Sequence, residues 1–545
     1  MGNRLYNLFF SLHTVSGIVI SVALYIIFFA GSFSFFRDDI IAWERNQNTL
    51  TNDNLPAQID PILDSLNSRY NLNSRDVTLK TYYAERRVSI SLTAQKDTLL
   101  KNPDAGAHFF YLDPLEFTEQ TYTESYTLGE FLYRLHFLTQ FFYPVGYYVS
   151  GFVAFFFLIA ILTGLLIHWK KIVSNFYTFR PWAKLKTLWT DAHTALGFIG
   201  LPFQFVLAVT GAFFMLKILL LTPAAVTLYG GDEQKIYEEL EYDTPAFEFA
   251  NQKLARKPEL DLVLKNTRTD WPDFDINELI INNYGDANMY VTVKGQQDYS
   301  AKFNAPGQLQ YCVATGETTI IKNPYANASY LDSVKNVMYR LHFGDYGGYL
   351  LRIISFLLGI ITCVVIISGV MIWLLARDKK NAPIKKRTFY RRVALVYLAI
   401  CLSMYPVTAV SFVVVKFAHS LNETFLYWFY LGIWALASLY LILRKNRTYC
   451  IKFSLLWGSI FGFFIPIANY IMTGTGIWKN FAAANYQIAF VDLFWIILAT
   501  CTLFAFFKIK NLIVKPKSTI CYLYSTRSLC CKRECASHRS CISIM

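Results

Sequence analysis

The sequence predicts a mainly α-helical membrane protein of about eight spans, built on a duplicated helix–outer module–helix unit, with two small α+β modules outside the bilayer. Three observations carry this. The 545 residues are 54% hydrophobic and 17% aromatic with only 16% charged, and the mean hydropathy is +0.31, a balance foreign to an ordinary soluble domain. Eight apolar stretches, near 8–36, 144–169, 191–222, 349–376, 393–417, 424–443, 451–472 and 485–507, are long enough to cross a hydrocarbon core of about 30 Å. The pentapeptide Tyr-Arg-Leu-His-Phe occurs at 133–137 and again at 339–343, each time just ahead of an apolar run.

Taken in order, the chain opens with a first span (1–36), too long for the apolar core of a signal peptide and expected to remain as an anchor. The first outer module (37–132) follows. It begins with Ile59, Ile62, Leu63 and Leu66 at helical spacing and continues in alternating runs from Val77, Arg87 and Phe109. Residues 133–222 hold the first Leu-His segment and spans two and three. The second outer module (223–338) repeats the strand pattern at Glu278, Met289 and Leu309. Residues 339–377 hold the second Leu-His segment and span four, and 378–510 add four further spans. The tail, 511–545, carries Cys521, Cys530, Cys531, Cys535 and Cys541 without a C-x-x-C pair and is expected to be disordered.

The net charge of +13 does not point to nucleic acid. Basic residues crowd the short loops after spans two, four, six and eight: Lys170, Lys171, Arg180, Lys184 and Lys186, then Arg377 through Arg392, then Arg444, Lys445, Arg447 and Lys452, then Lys508 and Lys510. These all fall on one face, which the positive-inside rule makes cytoplasmic together with the N-terminus. The two modules then lie on the far side.

The duplication extends beyond the pentapeptide. His13 and His193 open the apolar runs that precede its two copies. Each is followed four residues later by a glycine (Gly17, Gly197) and eighteen residues later by another (Gly31, Gly211). Each repeat contains an even number of crossings, so the copies run the same way and are related by an axis along the membrane normal. Matched residues then share a depth. His13 and His193 fall near the cytoplasmic surface, and His136 and His342 near the outer one. Histidine in a membrane helix is a functional-site hypothesis, and two imidazoles facing each other from neighbouring helices suit a six-coordinate haem iron. The expected cofactors are therefore two haem b groups, held by His13/His193 and His136/His342. The glycines would admit a macrocycle or a neighbouring helix. Arg134 and Arg340 would either pair with haem propionates or anchor lipid headgroups. His168, four residues past Gly164, breaks the symmetry, because its counterpart past Gly369 is Trp373. It reads as a substitute ligand for His13 or His193, as a contact to a cofactor or quinone, or as an interfacial residue beside Trp169. His108, His419 and His538 have no matched partner and read as surface residues.

The Leu12-His13-x3-Gly17…Gly31 segment, the two Leu-His segments and the Thr163-Gly164 and Ser368-Gly369 helix ends resemble the PepSY-associated transmembrane family over about residues 8–377. The outer modules look like PepSY domains, through Phe110-Tyr-Leu-Asp-Pro-Leu-Glu-Phe-Thr-Glu and the Ala314-Thr-Gly-Glu turn. The resemblance implies a bacterial inner-membrane protein tied to iron uptake, of a type whose best understood members are di-haem reductases of ferric siderophores. It also implies that His13, His193, His136 and His342 serve haem. The partners expected are the lipid bilayer, a ferric siderophore or other ferric chelate, and an electron donor, either a quinol or a cytoplasmic reductase. Two other function classes suit the same segments: a non-catalytic binding or regulatory protein using its outer modules, and a chelate transporter whose repeats rock about their axis.

Overall fold

The computed structural model describes residues 2–47, 54–81, 87–97, 105–140, 142–171, 177, 180, 185–241, 247–256, 258–298, 302–418 and 422–509. The cysteine-rich tail, His538 and His419 lie outside the described residues. The first half of the chain forms α1 (Asn3–Ser34), α2 (Arg37–Arg45), α3 (Asp60–Tyr70), β1 (Val77–Lys80), β2 (Val88–Leu92), β3 (His108–Leu112), β4 (Glu119–Gln120), α4 (Leu128–His136), α5 (Val145–His168), α6 (Leu185–Ile199) and α7 (Leu201–Tyr229). There follow α8 (Glu233–Glu239), α9 (Leu260–Asp270), β5 (Phe274–Asn282), β6 (Tyr290–Gln297), β7 (Pro306–Cys312), β8 (Thr318–Lys322), α10 (Tyr330–Phe343) and α11 (Gly348–Arg377). The last part is helical: α12 (Ile384–Phe417), α13 (Glu423–Arg444), α14 (Arg447–Thr473), α15 (Ile477–Ala482) and α16 (Tyr486–Lys508).

Among the described residues, seven helices are long and apolar enough to cross a membrane: α1, α5, α11, α12, α13, α14 and α16. The pair α6–α7 is long and apolar enough only when taken together, and it turns by 69° between Ile199 and Leu201. The sequence predicts one uninterrupted span there. Gly200 and Pro202 break it: proline has no N–H to give the carbonyl four residues back, and its ring crowds that carbonyl. The corresponding stretch of α1 has neither residue and runs straight through.

Four spans of the two repeats form a ring. Helix α1 packs on α5 within the first repeat, and α6 on α11 within the second; α1–α11 and α5–α7 close the ring between repeats. The two outer modules meet edge to edge. Their strands join one antiparallel eight-stranded sheet in the order β4-β3-β2-β1-β5-β6-β7-β8, with β1 and β5 paired from Val77↔Ile281 to Lys80↔Glu278. Alone, β1 and β5 would each be an open edge offering unpaired amides, and joining them removes both edges. One hydrophobic cluster then spans both halves, from Leu63 and Leu66 to Leu264 and Leu279. The join is two-fold symmetric in detail. The carboxylate of Asp60 accepts from the amides of Leu260 and Asp261 at 3.0 and 3.1 Å, and Asp261 accepts from those of Ile59 and Asp60. Each helix thus caps the other's N-terminus, where amides lack an intrahelical partner.

The four additional spans are tied to the first repeat. Helix α12 is buried along most of its length against α14 and α13, and α16 packs on α14 and on α2. At that junction the indole of Trp43 donates to Asp492 Oδ1 at 2.8 Å, and Asn469 Nδ2 donates to its other oxygen at 2.7 Å. The ammonium of Lys416 donates to the Trp43 carbonyl and lies 4.5 Å from the indole centre. A buried carboxylate is tolerable only when so partnered, so Asp492 and Asn469 act here as packing hydrogen bonds.

Candidate functional site

The two repeats bring their matched histidines together. His136, in the last turn of α4, faces His342, in the last turn of α10, with ring centres 6.0 Å apart and planes at 46°. His13 of α1 faces His193 of α6, also at 6.0 Å, with planes at 74°. His168 belongs to neither pair. It stands exposed at the end of α5, within electrostatic reach of His13, while its repeat-mate Trp373 packs under Arg377 and against Tyr390. His108 sits in the sheet beside Tyr70.

Each imidazole rests on a glycine of a neighbouring span. A Cβ on Gly31 would lie 2.5 Å from His136 Nδ1, and one on Gly211 would lie 3.8 Å from His342 Cε1. Gly164 and Gly369 stand likewise 3.0 and 3.1 Å from Cε1 of His13 and His193. Of the four glycines singled out in the sequence, only Gly31 and Gly211 meet an imidazole. Gly17 faces open space and Gly197 makes an ordinary contact with Val365. The side-chain gap lets the ring reach backbone buried elsewhere in a helix. His136 Nδ1 bonds Ile27 O at 2.8 Å, His13 Nδ1 bonds Ala160 O at 2.8 Å, and His193 Nδ1 bonds Val365 O at 2.9 Å. Each of these carbonyls is four residues before the glycine under the ring. The fourth, His342 Nδ1, bonds the Thr210 hydroxyl at 2.8 Å, which itself donates to Val206 O at 2.7 Å.

These partners choose the tautomer. A carbonyl only accepts, so Nδ1 carries the proton, and Nε2 keeps the lone pair that a metal needs. The Thr210 hydroxyl, having spent its proton on Val206, accepts in the same way. Burial holds the sheet-side imidazoles neutral: it pushes His342 down to about 3, with the neighbouring His136 adding to the effect, and lowers His136 too. Two metal–nitrogen bonds of about 2 Å, plus about 1.1 Å from each nitrogen to its ring centre, would set coaxial rings about 6.3 Å apart. Both pairs, at 6.0 Å, fit a shared metal between them. Among the described residues no three His, Cys, Asp or Glu side chains cluster as a metal site.

A cavity of about 350 Å³ opens at the sheet-side pair, lined by His136, His342, Gly31 and Gly211 and by Leu24, Phe28, Phe157, Leu207 and Phe214. Its charged lining comes from the sheet-side ends of the helices: Arg37, Asp38, Lys217, Asp345 and Arg352. Neither Arg134 nor Arg340 lines it. Arg134 Nε pairs with Glu130 at 2.8 Å, and Arg340 Nη2 donates to Gln296 Oε1 of β6 at 2.5 Å, with Asp345 at 3.8 Å. Arg134 is thus held by its own helix and Arg340 by the sheet, and neither reaches the cavity. Arg37 and Lys217 were missed in the sequence, although a signal existed: each lies six residues past its repeat's cavity glycine, Gly31 or Gly211. Arg37 also bonds Glu130 Oε2 at 2.8 Å. Burial alone would raise the Glu130 carboxyl, but Arg37 and Arg134 together hold it at about 2.

A profile of the PepSY-associated TM region matches residues 10–376. The chain belongs to that family. No curated protein matches it. The PepSY-associated TM match takes in both repeats, the joined sheet and all four paired histidines, and stops before α12. The chain is thus a multi-pass membrane protein of this family, carrying four helical spans beyond the matched region.

Proposed function

We propose that this protein holds two b-type haems, one between His13 and His193 and one between His136 and His342, and uses them to reduce a ferric siderophore or other ferric chelate on the sheet side of the membrane. The observation that carries this reading is the set of four Nδ1-anchored imidazoles, facing in two pairs at 6.0 Å. Bound there, the haems would supply reversible one-electron chemistry at two depths, linking a quinol or cytoplasmic reductase on one side to Fe(III) on the other.

The chain's own residues bind, orient and exclude water. The four histidines present Nε2, and the carbonyls of Ile27, Ala160 and Val365 together with the hydroxyl of Thr210 fix their rings. Holding each haem from both sides, the two histidine pairs would keep small ligands such as oxygen away from it. Phe28, Phe157 and Phe214 keep the sheet-side cavity apolar, while Arg37, Lys217 and Arg352 are the cations that line it and that propionates would meet, with Arg37 already paired to Asp38 and Glu130 and Arg352 to Asp39. The basic loops lie opposite the sheet, which supports a cytoplasmic N-terminus and a periplasmic sheet in a bacterial inner membrane.

The test is an absorption spectrum with a haem count on protein purified in detergent. A bis-histidine b-type spectrum with about two haems per chain is expected. His136→Ala and His342→Ala should each lose one haem, His13→Ala and His193→Ala the other, and His168→Ala neither. Wild-type protein without a Soret band would sink the reading and favour a binding or regulatory role for the sheet.

A further inference from the structure

The four imidazoles are anchored alike except for one. In three of them Nδ1–H reaches a backbone carbonyl four residues before the glycine beneath the ring. His193 adds the Ser368 hydroxyl at 3.2 Å but keeps its carbonyl. His342 alone has a side-chain hydroxyl, that of Thr210, in place of the carbonyl. The residue at the matching position of the first repeat is Ala30, which has no hydroxyl to offer, and there His136 turns to Ile27 O.

The acceptor on Nδ1 sets how electron-rich Nε2 is. A strong acceptor draws the Nδ1 proton away, raises the basicity of Nε2 and favours the higher charge on a bound metal. An amide carbonyl is a stronger acceptor than a hydroxyl, even one polarised by its own bond to Val206 O. We propose that Thr210 makes His342 the weakest donor of the four ligands and thereby raises the reduction potential at the sheet-side pair above that of the His13/His193 pair. The consequence is directional: electrons are drawn toward the face that carries the sheet. This rests on the haem reading above and adds to it a residue that positions and tunes a ligand without touching the iron.

The test is a spectroelectrochemical titration of the purified holoprotein, with a haem count on every sample. In the wild type, the higher potential should belong to the haem that His136→Ala removes. Thr210→Ala recreates the first repeat's arrangement and leaves His342 to turn to the carbonyl of Leu207. It should retain both haems and shift the sheet-side potential to a more negative value, leaving the other unmoved. Thr210→Ser keeps the hydroxyl and should titrate as the wild type does. An unchanged or raised sheet-side potential in Thr210→Ala overturns the proposal. So does an equal shift in Thr210→Ser, or a wild type whose higher potential belongs to the haem lost in His13→Ala. A wild type without haem would instead refute the function itself, so the two failures are distinct.

Discussion

A methyl group on Gly31 would collide with the ring of His136. Its carbon would stand 2.5 Å from Nδ1 and 2.7 Å from Cε1, against a relaxed contact of about 3.5 Å, so the ring must retreat by about 1 Å. That movement breaks the 2.8 Å bond to Ile27 O, a loss of about 0.5–1.5 kcal/mol, and crowding of a packed helix contact adds about 1–3 kcal/mol. Loss of the group that orients a metal ligand lowers metal affinity about 10–100-fold. Gly31→Ala should therefore shed the sheet-side haem at least about tenfold more readily than the wild type when challenged with a haem scavenger. Gly211→Ala should be milder, since its methyl group would meet Ala154 at 3.5 Å and His342 at 3.8 Å. Gly17→Ala, facing open space, should be silent. If Gly31→Ala holds its haem as firmly as Gly17→Ala does, the account of the glycine as the seat of the imidazole is wrong.

Trp43→Phe keeps the aromatic packing but removes the indole donor from Asp492, and should cost about 1–3 kcal/mol, read as a lower melting temperature in detergent; an unshifted melt would deny the junction any role in holding α16 to α2. Glu130 is held at about 2, below the ordinary 4.5, by Arg37 and Arg134. Because its folded value is depressed, its contribution is fully present above pH 4.5 and is lost as pH falls toward 2, an effect on the order of 3 kcal/mol. Melting temperature should accordingly fall between pH 5 and pH 3 in the wild type and much less in Glu130→Gln, and parallel curves would contradict the pairing.

The spans were legible because burial in lipid demands a long unbroken apolar run, which composition cannot conceal. The break at Gly200 was written in the sequence too, in Pro202, but a proline in an apolar run is equally compatible with a gentle kink. The site histidines were legible for a different reason. Tyr-Arg-Leu-His-Phe appears twice and His13 and His193 share two glycine spacings, so the repeat itself marks the residues. The roles of Arg134 and Arg340 were not legible. Standing two residues before a paired histidine turns a side chain about 200° around the helix from it, to nearly the opposite face. Glu130 and Gln296, distant in the chain from one another, capture these arginines instead.

By itself the sequence determined the order of the apolar spans, the duplication, and the identity of the four imidazoles, because these depend on local composition and on repeated spacing. Tertiary structure alone decided that the two outer halves share one sheet, because only when the repeats meet do the open edges of β1 and β5 find each other. It alone decided which nitrogen of each histidine carries the proton, because that choice belongs to carbonyls of Ile27, Ala160 and Val365 lying more than 100 residues away along the chain. The exception at Thr210 arises the same way, from a hydroxyl that comes into play only when α10 lies against α7.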